Sequence, residues 1–238
     1  IGIWRVLAQT ETDPGQKKKW HDKVFQAFGD LNGPDRLHAA ETLAKLKLSP
    51  QERYPEATQL SLTGENRNMQ VYTHWALSHA AGADAGRFTK DFLHMLEADS
   101  NKIVRIISAY IIRNRKGLSP DQWTTLAQQA LVTPDSDELK RTLLNTAFVT
   151  YPEEMNNAEM FGKIRLAMKK HAEKFGPDER IQLAQALAEA GDASDIPLLT
   201  AYLNNENSEG VYDAQSKEGA DVRAAAAYAI LKIKERAR

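Results

Sequence analysis

Six segments of this chain can be laid over one another so that the same kinds of residue recur at the same offsets. Arg36, Gln70, Arg105, Arg141, Arg180 and Arg223 fall in register, at successive spacings of 34, 35, 36, 39 and 43 residues. Three positions further on stand Ala39, Thr73, Ser108, Leu144, Leu183 and Ala226; seven further on stand Leu43, Leu77, Ile112, Phe148, Leu187 and Ile230. Residues at those intervals share one face of an α-helix. A repeat of this length fits one helix pair per unit, and a pair with one apolar face is stable only when stacked on its neighbours.

The intervening sequence supplies the other helix of each pair. Almost no segment alternates with period two, and Pro and Gly fall mainly between helical stripes, so the chain reads as all-α. Asp13-Pro-Gly opens a helix through Phe28, and Gly33-Pro-Asp precedes one over Arg36–Leu48. Ser49-Pro-Gln-Glu52 and Ser119-Pro-Asp-Gln122 have the residue types of capping boxes and are expected to open helices reaching about Thr63 and Leu131. Further helices are expected over Asn66–Ala81, Asp84–Glu97, Asn101–Arg115, Asp137–Val149 and Asn156–Phe175. Gly176-Pro-Asp-Glu opens the next, to Ala190; Ser194 or Asp195 caps one to Leu203; and a polar loop over Asn204–Gly219 leads into Ala220–Glu235. The expected layout is one continuous domain over 1–238, with a half-repeat at 1–11 and pairs at 14–48, 49–82, 83–117, 118–151, 152–191 and 192–238.

Asp221-Val-Arg-Ala-Ala-Ala-Ala-Tyr-Ala-Ile-Leu resembles the second helix of HEAT-like repeats, and Arg36-Leu-His-Ala-Ala-Glu-Thr-Leu and Arg180-Ile-Gln-Leu-Ala-Gln-Ala-Leu resemble further copies. The resemblance spans essentially the whole chain, with Gln70 in place of Arg and Asn145 in place of Ala as departures. It implies an α-solenoid of stacked antiparallel helix pairs wound as a right-handed superhelix. It also implies that Arg36, Arg105, Arg141, Arg180 and Arg223 form a structural ladder holding adjacent repeats, with carboxylates such as Asp35 or Glu179 nearby.

Totals remove several functions. The 31 basic and 32 acidic residues leave a net charge of −1, which disfavours nucleic acid, since phosphate binders carry a basic excess. No cysteine is present, so disulfides, thiolate metal sites and a cysteine nucleophile are excluded. No apolar run reaches the ~20 residues of a membrane span. Ile1 already lies inside a helical pattern and no targeting segment opens the chain, so an excised or processed domain is expected, compatible with a cytoplasmic or a periplasmic or extracellular setting.

No residue is assigned a catalytic role, and no metal or cofactor is expected. His74 and Asn145 interrupt the buried stripe as core hydrogen-bonding groups, and His74 and His79 are not spaced to share a helix face. Asn205, Asn207, Glu209 and Gly210 imitate the start of a calcium loop, but Ser216 stands where a bidentate Glu is required. Basic clusters at Lys17–Lys19, Arg113/Arg115/Lys116 and Lys169/Lys170/Lys174 read first as solvated helix ends. The 204–219 loop, with Val211 and Tyr212 as anchors, stands open between a binding loop and an insertion.

The side of the second helices opposite the buried stripe is the candidate surface, at offsets two, five and nine. Tyr72, Trp75, His79 and Tyr110, with Asn114 beyond, make it aromatic in the second and third copies, and exposed aromatics anchor interfaces. The first reading is therefore a monomeric, non-enzymatic scaffold that binds a protein or peptide through a concave face. The alternative is a DNA-binding enzyme similar to the HEAT-like alkylpurine DNA glycosylases. Trp75 and Tyr110 would then take the aromatic part, beside Glu41 and Glu189 but no Asp. A third reading is a structural spacer within a larger protein.

Overall fold

The computed structural model describes residues 1–137, 139–152, 154–155 and 157–238. Its described residues form α-helices and no strand, and they divide into two compact units, Ile1–Ile111 and Ile112–Arg238. The first unit holds α1 (Gly2–Thr10), α2 (Pro14–Gly29), α3 (Arg36–Lys45), α4 (Pro55–Thr63), α5 (Arg67–Leu77), α6 (Ala85–Ala98) and most of α7 (Lys102–Arg115). The second holds the end of α7 with α8 (Pro120–Val132), α9 (Leu139–Val149), α10 (Ala158–Lys169), α11 (Pro177–Ala190), α12 (Ile196–Leu203) and α13 (Lys217–Arg236).

Local chemistry sets the helix ends. Asp13, Asn66, Asp84 and Asn157 each accept the N–H three residues on, at 2.7–3.1 Å, satisfying one of the orphan donors of α2, α5, α6 and α10. Ser119 and Gln122 form the full reciprocal box at the start of α8, at 3.3 and 2.9 Å. At α11 only the Glu179 half is made, to the Gly176 N–H at 2.8 Å.

The box expected at Ser49 does not open a helix. Residues 50–54 make a tight turn instead, with the N–H groups of Arg53 and Tyr54 both donating to the Pro50 carbonyl. Pro55 is the reason: inside a helix begun at Pro50 it would remove a hydrogen bond and clash with a carbonyl, so the helix restarts with Pro55 at its first position. Helix α5 stops at Leu77, short of the expected Ala81, where the Ser78 hydroxyl donates to the Trp75 carbonyl at 2.7 Å. Helix α10 stops at Lys169, and His171 follows in the left-handed region at φ 62°. The expected start of that helix at Asn156 lies outside the described residues. Before α12 the capping acceptor is Asp192, bonded to the Ser194 N–H at 2.8 Å; Asp195 is fully buried and ion-paired to Arg165 and Lys169 at 2.6 and 2.9 Å. Helix α13 begins at Lys217, earlier than the expected Ala220, because the Ser216 hydroxyl accepts the Gly219 N–H.

Within the first unit α2 packs on α3, α4 on α5, and α3 on α5; α1 packs on α2 and on α3. Within the second, α8 packs on α9, α10 on α9, α9 on α11, and α13 on both α11 and α12. The offset-three residues Ala39, Thr73, Ser108, Leu144, Leu183 and Ala226 are buried in every copy, and Ala39, Thr73 and Ala226 lie on helices that pack on another of the set.

Three of the register residues close the ends of the helices that precede them, while Arg223 donates instead to the Ala214 carbonyl in the segment before α13, at 2.8 Å. Arg36 donates to the Phe28 carbonyl at 3.0 Å, Arg105 to the Leu96 carbonyl at 2.7 Å, and Gln70 to the Gly64 carbonyl. These carbonyls lie at the ends of α2, α6 and α4, where intrahelical donors have run out and a cation is favoured. The fourth copy moves the task back one residue. Lys140 donates to the Leu131 and Thr133 carbonyls at 2.9 and 2.6 Å, while Arg141 lies 3.8 Å over the Phe175 ring and bonds Glu179 at 2.8 Å. Arg36 also reaches forward to the Ala57 carbonyl and Ser61 hydroxyl of α4.

Arg180 is the extreme case. It is fully buried, and its guanidinium donates to the carbonyls of Phe175, Glu173, Glu206 and Asn207 at 2.8–2.9 Å and to the Tyr212 hydroxyl at 3.3 Å. The rings of Tyr202 and Tyr212 lie 4.7 and 5.2 Å from it. The segment between α12 and α13 is thus moulded around one cation, with Asn205 and Asn207 in the left-handed region at φ 54° and 56°. The Glu206 and Asn207 carbonyls accept from Arg180, the Asn205 side chain accepts from the Tyr212 hydroxyl at 3.1 Å, and Ser216 caps α13.

Arg180→Lys removes the fork that serves five acceptors at once. It should destabilise the fold by roughly 2–4 kcal/mol in urea denaturation and make the 204–216 segment the first site of limited proteolysis. Unchanged stability and cleavage pattern would show that the segment does not depend on the guanidinium.

Candidate functional site

In the first unit, α3, α5 and α7 bring the offset-two, -five and -nine residues together. The Glu41 carboxylate bonds the Lys45 ammonium one turn on and lies 3.5 Å from Nδ1 of His38. Lys45 reaches on to place its Nζ 5.1 Å from the Tyr110 ring centroid, and Tyr110 meets the Trp75 ring edge-on at 5.8 Å. Tyr72 is half-buried. Burial pushes its phenol up to about 12, with the negative charge of Glu41 and the Tyr110 hydroxyl adding to the effect. Burial also raises Glu41, but Lys45, His38 and Arg5 outweigh it and leave the carboxyl below its ordinary range. The result is a half-buried carboxylate–ammonium–aromatic cluster.

The five candidate residues separate on this geometry. Tyr110 is 39% exposed and Tyr72 half-exposed, so both are reachable from solvent. Trp75 is 3% exposed, which corrects the expectation of a solvent-facing anchor. It packs among the core residues of α5 and α7 because an indole of that size gains more from burial than from exposure. His79 lies past the end of α5, in the turn after Leu77, so its offset no longer places it on the helix face. Asn114 is exposed but belongs to the second compact unit.

In that second unit the same offsets give a different surface. Leu143, Thr146 and Thr150 are buried, because α9 is covered all round from Leu143 to Val149. Gln182, Gln185 and Glu189 on α11 are exposed, with Glu189 3.1 Å from Arg113, and exposed Tyr228 on α13 lies under Lys232 at 5.8 Å. The aromatic concentration is thus confined to the first unit.

Ile103 and Ile106 were not among the sequence candidates, yet they are 53% and 40% exposed. With Tyr110 they stand at i, i+3 and i+7, so the apolar face of α7 runs from Val104, Ile107, Ser108 and Ile111 in the core out to an exposed edge at Ile103 and Ile106. The signal was readable: the apolar arc of this helix is wider than one buried stripe needs.

His74 bonds Asp91 at 3.1 Å and its ring packs on Phe88 and Phe92 at 4.7 and 5.3 Å. The described residues contain no group of three or more His, Cys, Asp or Glu side chains able to hold a metal ion, and no helix long and apolar enough to cross a membrane. No family model, curated protein or solved structure matches the chain.

Two measurements check this geometry. In a spectrophotometric titration, one tyrosine should ionise near pH 12, and Tyr72→Phe should remove that step. A phenol whose folded pKa is raised stabilises the native state below its unfolded value of about 10, and the contribution is lost as pH climbs from there toward 12. Tyr72→Phe should therefore flatten the loss of stability over that alkaline range. Trp75→Ala should lower stability by about 3–5 kcal/mol through the cavity left behind; a change within experimental error would place the indole outside the core.

Proposed function

We propose that the chain is an α-solenoid of HEAT-like helix pairs that acts as a non-enzymatic interaction module, binding a protein or peptide through the exposed side of its second helices. The architecture is supported by the six-fold register, by burial of the offset-three residue in each copy, and by the packing of α3 on α5, α9 on α11 and α11 on α13. Arg36, which caps α2 and reaches on to α4, ties one expected pair to the next.

The observation that carries the functional reading is the Ile103–Ile106–Tyr110 stripe beside Lys45 and Tyr72. Exposed Ile103 and Ile106, with the Tyr110 ring 39% exposed where it packs beside Trp75, offer anchor positions, and the Glu41–Lys45 pair offers a polar rim. An aromatic or aliphatic segment of a partner, laid along α7, would cover the stripe. The glycosylase-like alternative gains nothing from this geometry. Trp75 is buried under Tyr110 and the Glu41 carboxylate is held by Lys45, so neither faces a base or an incoming water.

A peptide library displayed on phage and selected against the intact chain tests the reading. Selected peptides should be rich in aromatic and aliphatic residues and should bind Ile106→Asp/Tyr110→Ala at least about tenfold more weakly, with the helical circular dichroism unchanged. Peptides that bind the double variant with undiminished affinity would place the binding surface elsewhere.

A further inference from the structure

A second surface stands out on α2, whose inner side is formed by Val24, Phe25 and Phe28. Its outer side, with Gly15, Lys18, Lys19, Asp22, Lys23 and Gln26, lines a groove of about 370 Å³. Gly15 keeps one end of the groove open, since a side chain there would fill space in which only a capping oxygen of Asp13 lies near.

The carboxylates around the groove are all engaged within the chain. Asp22 takes ion pairs from Lys18 and Arg53, both at 2.7 Å, which hold its carboxyl below the usual range. Asp13 accepts the Gln16 N–H at the helix start, and Glu11 accepts the N–H groups of Thr12 and Asp13. Among the described residues, no carboxylate lies within ion-pair distance of the Lys19 and Lys23 ammoniums. They rest on aromatic faces, 5.3 Å from the Trp20 centroid and 5.4 Å from that of Trp4. Cation–π contact positions them without neutralising them.

Lys17, Lys18 and Lys19 also stand near the start of α2, where the helix dipole is already positive and cations are disfavoured, and no acidic residue occupies the first turn. The local field is felt by His21, which burial, and then the charge of Lys17, hold below the ordinary histidine value. An anionic ligand would relieve each of these unfavourable terms.

We propose that this strip docks an acidic peptide segment whose carboxylates bridge Lys19 and Lys23. A lipid surface fits less well, because the groove lining contains no apolar side chain to insert among acyl chains. Single-stranded nucleic acid fits less well too, because the Trp4 and Trp20 faces that would stack on bases carry lysine ammoniums. The groove lies on a different helix from the α7 stripe, so the two surfaces fail or hold independently.

The experiment is fluorescence anisotropy of a fluorescein-labelled octaglutamate peptide titrated with the intact chain at low ionic strength. Octaglutamine and an eight-base oligothymidylate serve as parallel probes. Saturable octaglutamate binding is expected, weakening as salt is raised, absent for octaglutamine and weaker for the oligonucleotide. Binding should perturb tryptophan emission as the ammoniums shift on Trp4 and Trp20. Lys19→Gln/Lys23→Gln, two exposed or half-exposed side chains whose loss leaves the core intact, should weaken octaglutamate about fivefold or more. The proposal is overturned by absence of saturable octaglutamate binding, by equal affinity for the double variant, or by tighter oligonucleotide binding through the same lysines.

Discussion

A helix that ends against its neighbours leaves its last carbonyls without donors, and a chain built from short helices meets this problem at every pair. Here the next helix supplies the donor. Arg36, Gln70, Arg105 and Lys140 reach back to the ends of α2, α4, α6 and α8, and the capped end fixes where the following helix starts. The small buried residues three positions on can then pack closely, because the donor has already set the rotation of its helix. Arg180 carries the same logic further, organising a whole connecting segment with neutral acceptors alone. Removing one guanidinium there would strand several buried carbonyls together, which is far more damaging than losing one surface contact.

Much of this was written in the sequence, and the parts that were not have identifiable causes. Helical periodicity and the caps at Asp13, Asn66, Asp84 and Ser119 depend on residues within one turn of each other, and they placed the corresponding helices to within a residue or two at their starts. The start at Pro55 was obscured by a plausible capping pattern at Ser49, although the backbone chemistry of proline decides against it. The exchange of roles between Lys140 and Arg141 was invisible because a one-residue shift on a helix is a matter of rotation, settled by what packs alongside. Trp75 was misplaced for a related reason. Offset alone assigns it to the outer face, but Tyr110 packs against it in a T-shaped contact and it is 3% exposed.

The candidate surface follows from the same economy of faces. A second helix in a stacked pair needs one apolar side, and α9 is buried all round because its neighbours leave it no other option. Helix α7 leaves Ile103 and Ile106, at the edge of its apolar face, in water. The polar cluster next to it is held in a defined arrangement by the Glu41–Lys45 pair, so the apolar and polar parts of the surface are both preorganised.

The displacement of the fourth donor onto Lys140 bears on how such chains change over time. What these helix ends share is a hydrogen-bond donor at a point in space, whether guanidinium, amide or ammonium, and a flexible ammonium can reach that point from an address one residue away. Arg141, released from the task, has taken up a stacking contact with Phe175 and an ion pair with Glu179. A lineage in which such exchanges accumulate would keep its packing intact while steadily erasing the sequence pattern that announces it.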